Sequence, residues 1–259
     1  MKNAILFFWL LPFSIYSQDI IETTHIKTTD FNTNKIVAID NFGTIYHLNN
    51  NTFYKKSTSN TISYNNLQLG EVTTANAFNP LKINLFYRDF NTVIILDNRL
   101  AEIFKIDFND RQPYKNVTHL SNGFDNTIWI FNQDTQQLEL YNHKNNTTQA
   151  RSLPIQNKVL DLKSNYNQVW LLTSAYILEY NYFGNLISKT PNTGYTKLEE
   201  NNGNLLLLKD NKLFYLKNNS DKAIPISLPN LLIKQFFVTN ETLYIYQNQK
   251  LQQFQLKIN

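Results

Sequence analysis

The stretch from Ile83 to Ile106, INLFYRDFNTVIILDNRLAEIFKI, decides the fold. It holds three short runs of Ile, Leu, Phe, Val and Tyr, separated by Asp89-Phe90-Asn91 and by Asp97-Asn98-Arg99. Apolar and aromatic runs of this length, bounded by Asp and Asn, read as strands joined by tight turns. Asp and Asn suit such turns because their side chains bond the local backbone and tolerate positive φ. The stretch therefore predicts three consecutive strands with two turns between them.

The same shape recurs outward from it. Strand, polar turn and second strand begin at Ile36 (IVAIDNFGTIYHL), Ile83, Ile128 (IWIFNQDTQQLELY), Val169 (VWLLTSAYILEYNYFGNLIS), Leu205 (LLLLKDNKLFYL) and Leu243 (LYIYQNQKLQQFQL). Successive starts lie 47, 45, 41, 36 and 38 residues apart. A four-stranded propeller blade takes about 40–50 residues. The chain is thus expected to be an all-β propeller of about six blades, with five or seven as the neighbouring counts. No amphipathic helix stands out, and Gly123, Gly194 and Gly203 are expected in the connections between blades. A closed ring protects sheet edges that an open sheet leaves bare. Closure calls for a terminal strand, and Asp19–Lys27 (DIIETTHIK) is expected to join the last blade beside Leu251–Lys257.

Two segments, Asp40-Asn41-Phe42-Gly43-Thr44-Ile45-Tyr46 and Tyr180-Asn181-Tyr182-Phe183-Gly184-Asn185-Leu186-Ile187, read as strand, glycine turn and strand. On these the chain resembles the degenerate six-bladed propellers of the NHL-repeat and TolB-like group. The resemblance implies the fold and no functional residues. The other blades lack the glycine, and the Trp-Asp and Gly-His marks of WD repeats and the paired glycines of kelch blades are absent.

The N-terminus suggests an address. Lys2 precedes an apolar run, Ala4–Phe13, and then Ser14-Ile15-Tyr16-Ser17. This is the layout of a signal peptide over residues 1–17; the run is too short for a bilayer, which needs about 20 apolar residues. Residues 18–259 would then form one propeller domain in the periplasm or outside the cell. The chain has no cysteine, so neither a disulfide nor a cysteine-linked lipid anchor is expected. No later run is long enough for a transmembrane helix. Removing Lys2 with the leader lowers the net charge from +4 to +3. With no dense Lys/Arg run, that excess reads as solubility and no nucleic-acid partner is expected.

Chemistry is sparse. His25, His47, His119 and His143 stand apart, with no metal-ligand spacing. Asp107-Phe108-Asn109-Asp110 is the nearest approach to a calcium loop and reads as a turn. Glu199-Glu200 beside Asn201-Asn202-Gly203 reads as a solvated loop. No nucleophile elbow or phosphate loop appears, so no catalytic, cofactor or metal residues are assigned. Trp129 and Trp170 occupy one repeat position, which favours packing between blades over a ligand platform. The segment Asn79–Ile106 concentrates charge around apolar strands. Arg88, Asp89, Asp97, Arg99 and Glu102 are the candidate interaction surface, set against a reading as turns and local ion pairs.

The function these features favour is a non-enzymatic protein-interaction or scaffold module of the cell envelope, with an envelope or outer-membrane protein as partner. Two alternatives stand beside it. One is a hydrolase or lactonase with a metal in the central channel, drawing on Asp40, Asp97, Asp134 and Asp210. The other is a carbohydrate-binding module using Tyr and Trp faces.

Overall fold

The computed structural model describes residues 19–258. The leader read over residues 1–17 lies outside them. The chain opens with β1 (Thr23–Asp30) and then builds five sheets of four consecutive strands. Blade one is β2 (Lys35–Ile39), β3 (Ile45–Asn49), β4 (Thr52–Lys56) and β5 (Thr61–Tyr64). Blade two is β6 (Thr74–Asn76), β7 (Ile83–Tyr87), β8 (Thr92–Leu96) and β9 (Glu102–Asp107). Blade three is β10 (Val117–Asn122), β11 (Thr127–Asn132), β12 (Gln137–Asn142) and β13 (Thr147–Arg151). Blade four is β14 (Val159–Ser164), β15 (Gln168–Thr173), β16 (Tyr176–Asn181) and β17 (Leu186–Pro191). Blade five is β18 (Lys197–Asn201), β19 (Asn204–Lys209), β20 (Lys212–Leu216) and β21 (Ala223–Pro225). The sixth sheet combines β22 (Gln235–Thr239), β23 (Thr242–Gln247) and β24 (Lys250–Leu256) with β1, in the order β1-β24-β23-β22.

The first strands of the sheets, β2, β6, β10, β14, β18 and β22, contact one another in turn around a ring. The protein is therefore an all-β, six-bladed propeller. Its one described helical element is a single 3-10 turn, Arg88–Phe90. Among the described residues no helix is long and apolar enough to cross a membrane.

The core consists of six hydrophobic clusters, one at each blade interface. This explains the unbroken apolar runs. In Leu205–Leu208, Leu205 and Leu207 pack toward blade four, while Leu206 and Leu208 pack toward blade six. A strand sandwiched between two sheets buries both faces and loses the in–out alternation of a half-exposed strand. Trp129 and Trp170 belong to the same scheme. They are 1% and 2% exposed and fill the interfaces between blades three and four and between four and five.

Polar side chains tie the seam between blades six and one. The Gln235 amide accepts from Ile36 N–H at 3.0 Å and donates to Ile36 C=O at 3.0 Å. Thr239 Oγ1 donates to Ile39 C=O at 2.6 Å. The buried Tyr246 hydroxyl lies 2.7 Å from Thr33 C=O and 3.1 Å from Phe31 C=O.

Turn chemistry follows the Asn-rich composition. Asn50-Asn51, Asp210-Asn211 and Asn248-Gln249 each place two successive residues at positive φ, as two-residue hairpins of the right twist require.

Three sequence expectations need correction. The strand near the N-terminus runs Thr23–Asp30 rather than Asp19–Lys27, and pairs with Lys250–Leu256 from Thr23↔Leu256 to Asp30↔Lys250. The segment at Ile36 covers the first and second strands of its blade, whereas the later segments begin with second strands. In phase, second strands start at Ile45, Ile83, Thr127, Gln168, Asn204 and Thr242. Of the three glycines expected between blades, Gly123 and Gly203 lie in turns within blades three and five, and Gly194 alone lies between blades.

Candidate functional site

Antiparallel strands alternate in direction, so each blade sends its turns to two faces. Turns between first and second strands, and between third and fourth, fall on one face, called here the turn face. Turns between second and third strands share the other face with the connections between blades.

The innermost strands line the axis and carry its polar groups. On β14 and β18, Lys163 Nζ meets Glu199 Oε1 at 2.6 Å. Glu200 Oε1 accepts from Gly203 N–H at 2.8 Å and from Asn165 Nδ2 at 3.1 Å. Asp161 Oδ2 accepts from Leu198 N–H at 3.1 Å. Burial raises the carboxyls of Glu199 and Glu200 above their ordinary range. Burial opposes the charge on Lys163, but Glu199 and Asp161 beside it hold the ammonium above its usual value. Burial lowers Lys35, helped by Lys163 and Lys197, and lowers His119 although Asp161 pulls the other way. Small polar groups knit neighbouring first strands together. Asn76 Nδ2 donates to Ser121 Oγ at 3.2 Å, and Ser164 Oγ donates to Ser121 Oγ at 2.7 Å.

At the turn face the axis opens into a cavity of about 420 Å³. Val37, Ala38, Ala75 and Phe237, from blades one, two and six, form an apolar side. Lys163, Ser164, Glu199 and Glu200, from blades four and five, form a charged side. Phe42 and Phe78 also line it, and Phe42 is 90% exposed.

From Phe78 a row of rings continues across the turn face. Phe78 meets Tyr166 at 5.1 Å between centroids, Tyr166 meets Phe124 at 6.3 Å, Phe124 meets Tyr182 at 6.2 Å, and Tyr182 meets Phe183 at 6.1 Å. Phe78, Phe124 and Tyr166 are 41–48% exposed, and Phe183 is 76% exposed. All five occupy turns of blades two, three and four. Gly184 lets the last of these turns sit close to blade three. Its φ is +78°, and a Cβ there would stand 3.1 Å from the Arg151 carbonyl oxygen. Beside the row, Leu81, Ile103, Phe104, Phe124 and Tyr166 border a groove of about 640 Å³.

The residues singled out from the sequence are not brought together as one surface. Arg88 and Asp89 precede β8, whereas Asp97 and Arg99 follow it, so the pairs sit at opposite ends of a strand about 17 Å long. Asp97 organises its own turn. Its Oδ1 accepts from Arg99 N–H and Ala101 N–H, both at 2.8 Å, and these backbone bonds, that from Ala101 foremost, hold its carboxyl below the ordinary range. Arg99 Nε lies 3.5 Å from Asp97 Oδ2. Glu102 accepts from Tyr64 OH at 2.9 Å, linking blades one and two. Asp40, Asp97, Asp134 and Asp210 do not face one side of the ring. Asp40 and Asp97 are on the turn face, and Asp134 and Asp210 are on the other. Among the described residues no group of three or more His, Cys, Asp or Glu is placed to hold a metal ion. The buried Trp129 and Trp170 offer no face to a sugar.

Glu199 and Glu200, expected in a solvated loop, lie in an innermost strand. The aromatic row is not among the residues singled out from the sequence. The signal was present, because Phe42, Phe78, Phe124, Tyr166 and Phe183 each stand among turn-forming Asn, Asp or Gly, where a polar residue is the rule.

No family model matches the chain, and no curated protein matches it. Solved structures do. A streptogramin B lyase aligns with a TM-score of 0.63 at 12% identity, covering 91% of this chain and 89% of its own. A catalytically inactive virginiamycin B lyase from Staphylococcus aureus with quinupristin aligns with a TM-score of 0.60 at 11% identity, covering 85% and 80%. A chain of a mitotic checkpoint complex aligns with a TM-score of 0.59 at 10% identity, covering 98% of each. At such identities the likeness is one of fold alone, and the class is set by the six four-stranded sheets of this chain: a six-bladed β-propeller.

Proposed function

We propose that this protein is an exported, non-catalytic binding module of the cell envelope, and that its turn face docks another protein. The observation that carries the reading is the continuous row Phe78–Tyr166–Phe124–Tyr182–Phe183, in which every ring but the partly buried Tyr182 is 41–76% exposed in a turn. Scattered exposed apolar residues need no explanation, whereas a contiguous patch of them does. Aromatic side chains bring large contact area at small entropic cost and dominate the energetics of interfaces. Here they stand on turns between paired strands, which limits the ordering cost of binding. Arg99, with its side chain 84% exposed, is on the same face and is assigned to the polar rim. Arg88 and Asp89 are assigned to the opposite face and play no part in it. The apolar N-terminal run supports export, which suits a partner in the envelope.

The test is co-purification from detergent-solubilised envelopes with the tagged protein, comparing wild type with a Phe124→Ser/Tyr166→Ser/Phe183→Ser variant and an Arg88→Ala/Asp89→Ala control. A stoichiometric envelope protein should be retained by wild type and control and lost by the aromatic variant. Recovery of no such protein by well-folded wild type, or its equal recovery by all three, overturns the reading.

A further inference from the structure

The chain holds four arginines, and two of them, Arg111 and Arg151, border one groove of about 520 Å³. It lies between β13, the outermost strand of blade three, and the connection over residues 108–116 that leads in from blade two. The strand register puts its side chains on one face. Glu139 stands opposite Arg151 and Tyr141 opposite Thr148 across β12 and β13, and residues directly opposite share a face. That face looks toward the connection, since Tyr141 packs on Phe108 at 5.4 Å between centroids. Burial raises the Tyr141 phenol above its ordinary range, and Arg111 beside it pulls the other way. Lys115 and Glu139, both buried, answer each other: Lys115 Nζ lies 2.5 Å from Glu139 Oε2, which also accepts from Thr148 Oγ1 at 2.7 Å. Glu139 Oε1 accepts from Asn132 Nδ2 at 3.0 Å. Little of that carboxylate is left for Arg151, whose Nε stands 3.8 Å away and whose side chain is half exposed. Arg111 has less still. Among the described residues no hydrogen bond or ion pair reaches its side chain, and its Nε is buried without a partner. Such a nitrogen, shut off from water and from any acceptor, costs free energy. The two terminal nitrogens of Arg111 are outside that sealed set, so an acceptor in the groove can meet them.

We propose that this groove binds a carboxylate group, held between the guanidiniums of Arg111 and Arg151. Charge balance selects a single negative charge. Three cations, Arg111, Lys115 and Arg151, stand against two carboxylates, Glu139 and Asp110, which leaves one positive charge unanswered. Asp110 is exposed and, among the described residues, pairs with neither arginine. A doubly charged phosphate would exceed the excess, a neutral amide would leave it in place, and a cation would add to it. Shape points the same way, because the two oxygens of a planar carboxylate match the fork of a guanidinium. The site shares no residue with the aromatic row or with the groove beside it, and it does not depend on the docking reading.

The experiment follows the arginine Nε–Hε signals of nitrogen-15-labelled residues 18–259 as propionate is added at constant ionic strength. Propionamide, of the same shape without the charge, and inorganic phosphate serve as comparisons. With four arginines the spectrum is small, and single Arg→Gln changes assign it. Saturable shifts at Arg111 and Arg151 are expected with propionate, with propionamide at least about tenfold weaker and Arg88 and Arg99 unmoved. Arg111→Gln and Arg151→Gln should each weaken propionate about tenfold, and Arg88→Gln should leave it unchanged. Nα-acetyl-glutamate α-N-methylamide separates two sources of the group. Tighter binding than propionate supports a carboxylate on a protein side chain, and equal or weaker binding supports a free acid. Equal binding of propionate and propionamide, tighter binding of phosphate than of propionate, or no saturable shift at Arg111 and Arg151 overturns the inference. The wild-type comparison stands even if a variant fails to fold.

Discussion

Acid should destabilise this propeller through a buried histidine, and His143→Phe should remove that sensitivity. His143 is 5% exposed, neither ring nitrogen has a hydrogen-bond partner, and Phe104 packs on the ring at 4.7 Å between centroids. Burial, with Lys82 and Lys144 nearby, lowers its pKa to about 4. In the unfolded chain the value is about 6.5. As pH falls below that, the unfolded state takes up the proton first, so stability present at neutral pH is lost progressively down to the folded value. Linkage between 6.5 and 4 gives a loss of about 2 kcal/mol from this one residue on going from pH 7 to pH 5. Other groups titrate nearby in pH. Lowered His47 acts in the same sense, and raised Glu199 and Glu200 act in the opposite sense. The difference between variant and wild type isolates His143 from all of them. Phe is close in shape and forfeits no hydrogen bond, so stability at pH 7 should be unchanged or higher. Urea unfolding across pH 5–8 measures it, provided the m-values agree. If the two proteins lose stability in parallel as pH falls, the imidazole is not held neutral and the reasoning fails.

Further outcomes follow from packing and pairing. Trp129→Ala should cost about 3–5 kcal/mol, because the interface between blades three and four cannot collapse onto the gap; thermal melting by circular dichroism checks it. Glu139→Ala should cost a similar amount, about 3–5 kcal/mol, by stranding Lys115, whose ammonium lies 2.5 Å from Glu139 Oε2 and is itself buried. The double change Lys115→Met/Glu139→Leu should restore most of that loss, which a double-mutant cycle in urea will read directly. Gln235→Ala should cost about 1–3 kcal/mol by leaving both backbone groups of Ile36 without their partner at the seam. Phe183→Ser should leave stability within about 0.5 kcal/mol, since so exposed a ring contributes little to the core.

The parts of this fold that could be read from the chain are those whose residues answer to one physical demand. The middle strands are buried on both faces, so Leu205–Leu208 and Val93–Leu96 announce themselves as apolar runs. The tight turns need positive φ, so Asn50-Asn51 and Asp210-Asn211 stand out as well. The innermost strands escape notice because they face two environments at once. In Val117–Asn122 (VTHLSN) and Lys197–Asn201 (KLEEN), apolar residues pack between blades while polar ones face the axis. Such strands look like loops in composition, so Glu199 and Glu200 read as solvated and the first segment reads out of phase with the rest. The candidate site was harder still. Its rings belong to turns of three blades, far apart in the chain, and only the closed ring makes them neighbours.

The two halves of the candidate face therefore share one origin. Because each blade interface carries its own hydrophobic cluster, the axis is not needed as a core. Polar and charged side chains can then gather on the innermost strands without destabilising the packing that holds the blades. The turns are likewise free of packing duty, since the strands they join are fixed by their neighbours. A large ring placed in such a turn gains little for stability, as the exposure of Phe42 and Phe183 indicates. Aromatic residues at several turns of one face, next to a cavity lined by carboxylates, are thus poorly explained by folding and well explained by binding. That asymmetry makes a clean experimental separation: substitutions on the turn face should change what the protein binds while leaving its unfolding unchanged, and substitutions at the blade interfaces should do the reverse.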